Sequence, residues 1–296
     1  MSTVARAGVL DEFTRRFADT DFVLNRARSD VPFIPMAWLY ASRYGESEFA
    51  SKGGAPSGVD FRESTVSEGT IVPIPFGRRD ALLIGQWASL TELDLSPPQL
   101  EDIDVVSVAV PVGWMRQSSP NWQEAAFVAP LGHHSSRSGW SWEYMGGVFA
   151  RYTRDDRLSW IYGLFADLSP GENLWIPYIG ASLVLNQHWT LSAVLPWPAV
   201  LYSPTPDSLF RFGVSPSGTS WSVDADITHP RIDFGAWNLG VSAERRSWKN
   251  LWLHVEAGVS GLRGFSFEGS DWEGPNADLK TTPYVSIGIT FRPDEQ

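Results

Sequence analysis

The chain has 296 residues, a formal net charge of -11 and no cysteine. An acidic chain repels phosphate backbones, so nucleic acid is a poor candidate partner, and the lack of cysteine excludes disulfides, thiolate metal sites and cysteine nucleophiles. No run of about 18 apolar residues encodes a transmembrane helix. A membrane protein without such a helix can only be a closed barrel, because every backbone polar group in lipid needs a partner.

The first 30 residues differ from the rest of the chain. Leu10, Phe13 and Phe17 have helical spacing with charges between them, so residues 1–30 are predicted to be a leader, either helical or disordered. The start lacks the apolar core of about seven residues that a secretory signal needs. Because an exported barrel requires such a signal, either one was removed before Met1 or the barrel interpretation is wrong.

From residue 31 to residue 296 the dominant period is two. In Tyr284–Phe291 the apolar residues Val285, Ile287, Ile289 and Phe291 form one face, and the residues between them form the other. Along the chain this second face is small and sparsely charged. Such a face favours an enclosed lumen over the exposed side of a soluble sandwich.

Aromatic residues bracket the apolar face in several segments. An indole or phenol ring prefers the headgroup level of a bilayer, so these residues are predicted to form interfacial girdles. They are Trp142, Tyr152, Trp160, Trp175, Trp189, Trp237 and Phe291.

Charged residues on the opposite face are predicted to line the lumen. They are Glu143, Arg151, Asp224, Asp226, Glu244, Arg246, His254 and Glu256. If these residues pair across the interior, they plug a barrel of this size. If they are solvated, they line a narrow channel that prefers cations, because acids are in excess. The pattern leaves both alternatives open.

Short polar turns alternate with longer polar stretches along the chain. Turns are predicted at residues 77–80, 118–121, 154–157, 186–187, 204–207 and 247–250, and loops at residues 45–58, 96–102, 132–139, 169–173 and 268–280. Pro196 and Pro198 indicate either a hairpin turn or a bulge. The predicted fold is all-β, a single antiparallel transmembrane up-and-down barrel over residues 31–296, with about fourteen strands or, if the shortest pieces merge, about twelve.

The run His133-His134-Ser135-Ser136 is the most suggestive chemical motif. A histidine and a serine two positions apart on a strand share a face, so His133 with Ser135, or His134 with Ser136, has the spacing of a base and its nucleophile. Outer-membrane phospholipases use this spacing. No third residue that would orient the histidine is identifiable, and the alternative interpretation is a polar loop between two strands.

No cofactor or metal site is predicted. The five histidines show no zinc-ligand spacing, and neither a calcium-binding Asp-x-Asp-x-Asp-Gly loop nor a phosphate-cradling glycine loop occurs.

The stretch from Trp175 to Asp207 carries four linked features. They are a Pro-x-x-Gly strand, a turn ending in Trp, a Leu-Pro-x-Pro element and a Tyr-x-Pro-x-x-Asp turn. The stretch resembles a family of uncharacterised bacterial outer-membrane barrels, a domain of unknown function. The resemblance is sharpest over residues 141–225, looser from around residue 58 to the C-terminus, and barely covers the first 30 residues. It implies a barrel fold and the outer membrane of a Gram-negative bacterium, and it carries over no catalytic or binding residues.

The C-terminal strand Tyr284–Phe291 resembles the signal that barrel-assembly machinery recognises, an alternating strand that ends in an aromatic residue. The departure is the five-residue tail Arg292–Gln296, because the aromatic residue is usually the last. The predicted partners are therefore outer-membrane lipid and this machinery.

Three function classes remain. The favoured class is an outer-membrane structural protein or a narrow or plugged, porin-like channel for small solutes. The second class is an outer-membrane lipid hydrolase that uses the His133–Ser136 region. The third is a soluble all-β ligand-binding protein. An enzyme is the less favoured interpretation.

Overall fold

The computed structural model describes residues 20–22, 29–32, 34–50, 60–96, 102–135, 139–168, 173–216, 221–223, 231–268 and 277–293. All regular secondary structure in these ranges is β-strand. The same ranges contain no helix that is long and apolar enough to cross a membrane.

Eighteen strand segments follow one another along the chain. Their bounds are β1 (Ala37–Tyr44), β2 (Ser47–Ala50), β3 (Asp60–Pro75), β4 (Asp80–Ser96), β5 (Ile103–Ala109), β6 (Val112–Ser119), β7 (Trp122–Ser135), β8 (Trp140–Thr153), β9 (Leu158–Leu168), β10 (Asn173–Val184), β11 (Trp189–Leu195), β12 (Ala199–Thr205), β13 (Ser208–Pro216), β14 (Trp221–Val223), β15 (Arg231–Trp248), β16 (Leu251–Glu268), β17 (Ala277–Leu279) and β18 (Thr282–Phe291). Branched and aromatic residues at alternate positions suit the pleated backbone of these segments.

The segments form one closed antiparallel sheet. Strands adjacent in the chain pair with each other, and β1 pairs with β18 from Ala37↔Phe291 to Tyr44↔Tyr284, which closes the ring. The consecutive segments β1/β2, β5/β6, β13/β14 and β17/β18 each lie along a single barrel strand, so the barrel has fourteen strands. Closure pairs each barrel strand with a neighbour on both sides around the ring, as a wall in lipid requires. The predicted fold is confirmed.

The two ends of the barrel differ. At one end, here called the turn end, six connections of two to four residues join β3 to β4, β6 to β7, β8 to β9, β10 to β11, β12 to β13 and β15 to β16. The side chain of Asp155 shows how such a turn is held, because its carboxylate accepts hydrogen bonds from the amides of Arg157 and Leu158 at 2.9 and 3.0 Å. These two donors lower the pKa of Asp155.

The opposite end, here called the loop end, carries connections of three to nine residues. The shortest of them joins β11 to β12 and consists of Pro196, Trp197 and Pro198. The chain therefore makes a hairpin there rather than a bulge. Since β11 and β12 have seven residues each whereas β10 has twelve, the hairpin turns before it reaches the full height of the wall.

Outward-facing side chains are apolar over most of the described wall. Val148, Leu239 and Ile287 are 58, 42 and 58% exposed, whereas the inward-facing Ser242 is only 3% exposed. An apolar surface this extensive is unfavourable in water and suited to hydrocarbon. The soluble all-β alternative is therefore incompatible with the outer face.

Candidate functional site

The predicted girdle residues fall into two belts on the outer face. Trp142, Trp175 and Trp237 lie toward the loop end, and Trp142 and Trp175 are more than half exposed. The other belt, toward the turn end, contains Tyr152, Trp160, Trp189 and Phe291. Aromatic neighbours pack at this level, as Trp189 stacks on Tyr202 with ring centroids 4.3 Å apart. The two belts mark where headgroups would lie on each side of an apolar band.

The lumen contains a charged cluster near the turn end, here called the seam cluster because it adjoins the β1–β18 closure. The Glu244 carboxylate receives the Arg292 guanidinium at 2.6 Å and lies 3.5 Å from His254 Nδ1. His254 Nε2 lies 3.5 Å from the Glu256 carboxylate, which also accepts a hydrogen bond from Tyr284. Glu244, His254 and Glu256 thus meet, as their strand parity predicted. Their contacts join neighbouring strands along the wall.

The other predicted lumen residues lie apart from the seam cluster. Arg246 faces inward close to the turn end, where it pairs with Asp207 at 3.1 Å and covers the ring of Trp252. Glu143 lies in the loop-end half of the barrel, and Arg151 has the same inward parity nearer the turn end of β8. Asp224 and Asp226 lie outside the residues that the structure describes.

An aromatic surface lines the opposite side of the lumen. Phe127 stacks on Phe149 with ring centroids 6.1 Å apart, and the edge of Tyr178 meets Phe149 at 5.2 Å. Phe165 lies beside Phe127, at 6.4 Å. Farther along the wall, Trp87 packs with Met145 around the buried Ala109, Ala129 and Leu131. We call this surface, on β4 to β10, the aromatic sector.

A buried relay of three side chains lies in the loop-end half of the lumen. The Ser107 hydroxyl lies 2.7 Å from His133 Nδ1, and His133 Nε2 lies 2.9 Å from the Glu143 carboxylate. Neutral imidazole with its proton on Nε2 satisfies both contacts, accepting from Ser107 and donating to Glu143. Exposures of 2, 0 and 6% show that all three groups are enclosed.

The relay places a serine from outside the His133–Ser136 run beside the histidine of that run. His133 points inward, and its Nδ1 atom faces the hydroxyl of Ser107 on β5. His134 points outward, where its ring meets the edge of Trp140 at 5.4 Å. Ser136 lies outside the described residues. The sequence motif therefore located a histidine with a hydroxyl and an acid beside it, but it did not identify Ser107 or connect Glu143 with the histidine.

Two described stretches that precede β1, residues 20–22 and 29–32, lie at the turn end of the barrel. Asp21 bonds to Arg78 and Arg79 in the β3–β4 turn at 2.9 and 3.1 Å, and these guanidinium groups, Arg79 foremost, lower the pKa of its carboxyl. Asp30 lies 3.1 Å from His188 in the β10–β11 turn and accepts from Gln187. These two turns are six strands apart in the ring of fourteen, so the anchors lie on nearly opposite sides of the mouth.

A further contact takes this segment inside the rim. The hydroxyl of Ser29 lies 3.1 Å from that of Thr190, an inward-facing residue with no exposed surface. Val31 is also buried, at 5% exposure. Hydrophobic spacing predicted a helical or disordered leader and could not predict these contacts. They pair polar groups that lie about 60 to 160 positions apart in the chain.

The described lumen offers no cluster of three or more histidine, aspartate or glutamate side chains arranged to hold a metal ion. In the seam cluster, each carboxylate already faces a cation or a hydrogen-bond donor within 3.5 Å. The seam cluster therefore offers paired charges and hydrogen-bonding groups.

Comparison with one solved structure supports the fold, and two weaker likenesses are reported beside it. An outer membrane channel from Pseudomonas putida has 10% sequence identity and a TM-score of 0.50, with 91% of this chain and 99% of that chain covered. A FadL homologue from Pseudomonas aeruginosa has 11% identity and a TM-score of 0.45, with 86 and 89% covered. The translocator domain of the autotransporter NalP from Neisseria meningitidis has 7% identity and a TM-score of 0.40, with 95% of each chain covered.

No family model and no curated protein matches the chain, so the resemblance to an uncharacterised family stays a prediction. At these identities the likeness to solved structures is one of architecture alone. The chain has the fold of an outer-membrane β-barrel.

Proposed function

We propose that this protein is a channel of a bacterial outer membrane that passes small solutes carrying both an apolar part and a polar group. The observation that carries the proposal is the division of the lumen wall. The aromatic sector offers ring faces and edges, while the seam cluster offers two carboxylates, an imidazole and a guanidinium. A solute with an apolar part and a polar group can replace its contacts with water by contacts with the aromatic sector and the seam cluster.

The turn end faces the periplasm in this proposal, since short turns lie on that side in barrels of this kind. Residues 20–22 and 29–32, which Asp21 and Asp30 hold to two turns, then lie at the periplasmic mouth. Ion pairs at exposed anchors are individually weak and screened by salt, so these residues can be displaced without unfolding the wall.

Planar-bilayer conductance tests this proposal. The wild-type protein should give small currents, because residues 20–22 and 29–32 lie at the mouth. The double variant Asp21→Asn with Asp30→Asn should give several-fold larger currents that prefer cations, because the chain has a formal net charge of -11. Asp155→Asn is the matched control, since Asp155 lies at the same end but bonds only to its own turn in the contacts described.

Reversal potentials then test the solute class. Phenyltrimethylammonium should permeate better than tetramethylammonium through the double variant, because its ring contacts the aromatic sector, and Phe149→Ala should reduce that preference. Large anion-selective currents from the wild-type protein would defeat the proposal. If Phe149→Ala keeps the same preference for phenyltrimethylammonium over tetramethylammonium, the aromatic sector does not contribute to solute selection.

Insertion through barrel-assembly machinery is part of the same proposal. β18 presents the outward face that ends in Phe291, and Phe291→Ala should lower the yield of inserted barrel several-fold. The control removes residues 294–296 only, because Arg292 belongs to the seam cluster. Equal losses in the two variants would show that Phe291 is not the recognised residue.

A second candidate function, hydrolysis of a lipid ester, is favoured by the relay of Ser107, His133 and Glu143. In this scheme the Ser107 oxygen attacks the ester carbonyl while its proton passes to His133, the alcohol leaves with that proton, and water then releases the acid. The enclosed position of Ser107, at 2% exposure, weighs against substrate access. Labelling by a fluorophosphonate that is lost in Ser107→Ala and kept in Ser135→Ala would support hydrolysis; no labelling would exclude it.

A further inference from the structure

The lipid-facing side of β3 and β4 carries a polar island. Glu68 and Gln86 point outward and share a hydrogen bond of 2.7 Å, with the outward Thr70 beside them. Apolar rows lie on both sides: Val66 and Leu90 toward the loop end, and Val72 and Ile84 toward the turn end. The island therefore lies within the apolar band and not at its rim.

The island is exceptional for the described wall. On the other barrel strands, the outward side chains between the two belts are apolar, as in Val148, Ile179, Leu239 and Val255. A carboxylate and an amide that face hydrocarbon lack partners for most of their lone pairs and N–H groups, which is unfavourable at this depth. A protein surface with hydrogen-bonding groups at the same height would supply those partners.

We propose that a second copy of this chain covers the island, forming a two-fold dimer in the membrane. Two barrels that cross the same bilayer in the same sense are related by an axis parallel to the barrel axis, so each residue meets groups of its own height. With the axis between β3 and β4, Glu68 of one copy lies opposite Gln86 on β4 of the other. The amide N–H not used within the copy then reaches the facing carboxylate.

The surface around the island suits such a partner in shape and charge. Small side chains flank it, at Ala37, Ala41 and Ala88, and small residues let two backbones approach closely in lipid. Nearer the loop end, Arg43 and Glu92 line a groove of about 300 Å³ on the same face. Neither has an ion-pair partner within the part of the chain that the structure describes. The two-fold axis brings Arg43 of one copy toward Glu92 of the other.

Disulfide trapping tests the dimer directly, because the chain has no cysteine of its own. Ala88→Cys, next to the proposed axis, should form an oxidised homodimer in lipid vesicles at a low protein-to-lipid ratio. The matched control is Ala193→Cys on β11, an outward alanine on the opposite side of the barrel, which should crosslink at least ten-fold less.

Replacing the island tests its role. The double variant Glu68→Leu with Gln86→Leu should lower the dimer fraction several-fold in photobleaching step counts, while the barrel still folds and migrates in its heat-modifiable form. Equal crosslinking at Ala88→Cys and Ala193→Cys would overturn the dimer. So would trapping of Ala88→Cys to a different envelope protein in cells, or an island variant that dimerises as the wild type does.

Discussion

The relay and the seam cluster are both built on a histidine between polar groups, yet they differ in the number of charged groups and in the strands that they connect. The relay joins three neighbouring strands, and a single carboxylate, Glu143, is held by an enclosed imidazole. The seam cluster contains two carboxylates and an arginine, and it ties β15 and β16 to Arg292, the residue that follows the closing strand. The comparison indicates that the relay fastens the wall locally, whereas the seam cluster fastens the closure of the barrel.

The largest effect is therefore expected at Glu244. Replacing it with leucine leaves Arg292 and His254 enclosed without their shared carboxylate, and removing one partner of a buried ion pair costs about 3–5 kcal/mol. Urea unfolding in lipid vesicles, followed by tryptophan fluorescence, measures this loss. Asp207→Asn is the control, because its pair with Arg246 is exposed and should contribute about 0–1 kcal/mol. A small loss at Glu244 would mean that the seam cluster does not hold the closure.

The outer wall is expected to be nearly as sensitive as the seam cluster. Val148→Arg and Leu239→Arg place a guanidinium in the apolar band and should each destabilise the barrel by about 2–4 kcal/mol. The inward-facing Ser242 makes a poor comparison, because at 3% exposure it leaves no room for an arginine. Ser182→Arg, at a half-buried inward position on β10, should be milder. Equal losses at all three sites would contradict the assigned faces.

The relay should give a smaller effect, which sharpens its contrast with the seam cluster. His133→Leu leaves the Ser107 hydroxyl and the Glu143 carboxylate without their shared partner, at a cost of about 1–3 kcal/mol. His134→Leu is an adjacent control that points outward and should be nearly neutral. The same urea unfolding measures both. If His133→Leu lowers the free energy of unfolding as much as Glu244→Leu does, the relay and the seam cluster do not differ in their contribution to barrel closure.

The smallest effect is expected at Asp21, outside the wall. Arg79 and Arg78 hold the pKa of its carboxyl below the usual value, so the contact is fully present above the unfolded pKa and is lost as pH falls through the folded pKa. Limited proteolysis of the N-terminal segment should therefore become faster at acidic pH and at high salt. Asp21→Asn should show the fast rate already at neutral pH. A pH-independent rate in the wild type would show that Asp21 does not anchor the segment.

The outer face could be predicted from the sequence because it has a single requirement, contact with lipid, which imposes period two and aromatic ends. Parity alone assigned Trp142 and Leu239 to the outer face, where they are 53 and 42% exposed. Parity also put Glu244 and Glu256 on the inner face with His254, since all three lie on two adjacent strands. The short turns could also be predicted from the sequence, because a connection of two to four residues needs turn-forming residues.

The partners inside the lumen could not be predicted in this way. Ser107 meets His133 across 26 positions, and which hydroxyl faces the imidazole depends on the register of β5 against β7. Arg292 was assigned to a tail because it follows the last aromatic residue, yet its side chain turns into the lumen and binds Glu244. The polar island was also missed. Glu68 and Gln86 are polar residues at outward positions of β3 and β4, where the alternating pattern predicts apolar residues.

Thiol labelling of two adjacent residues on β10 tests the central claim, an apolar outer face around a hydrated lumen, most directly. Ala181 faces outward and Ser182 inward, and no native cysteine interferes. In sealed lipid vesicles, a small membrane-impermeant thiol reagent should label Ser182→Cys and leave Ala181→Cys unlabelled, while a lipid-soluble reagent should label Ala181→Cys. Equal labelling of both by the impermeant reagent, or labelling of Ala181→Cys alone, would contradict the claim.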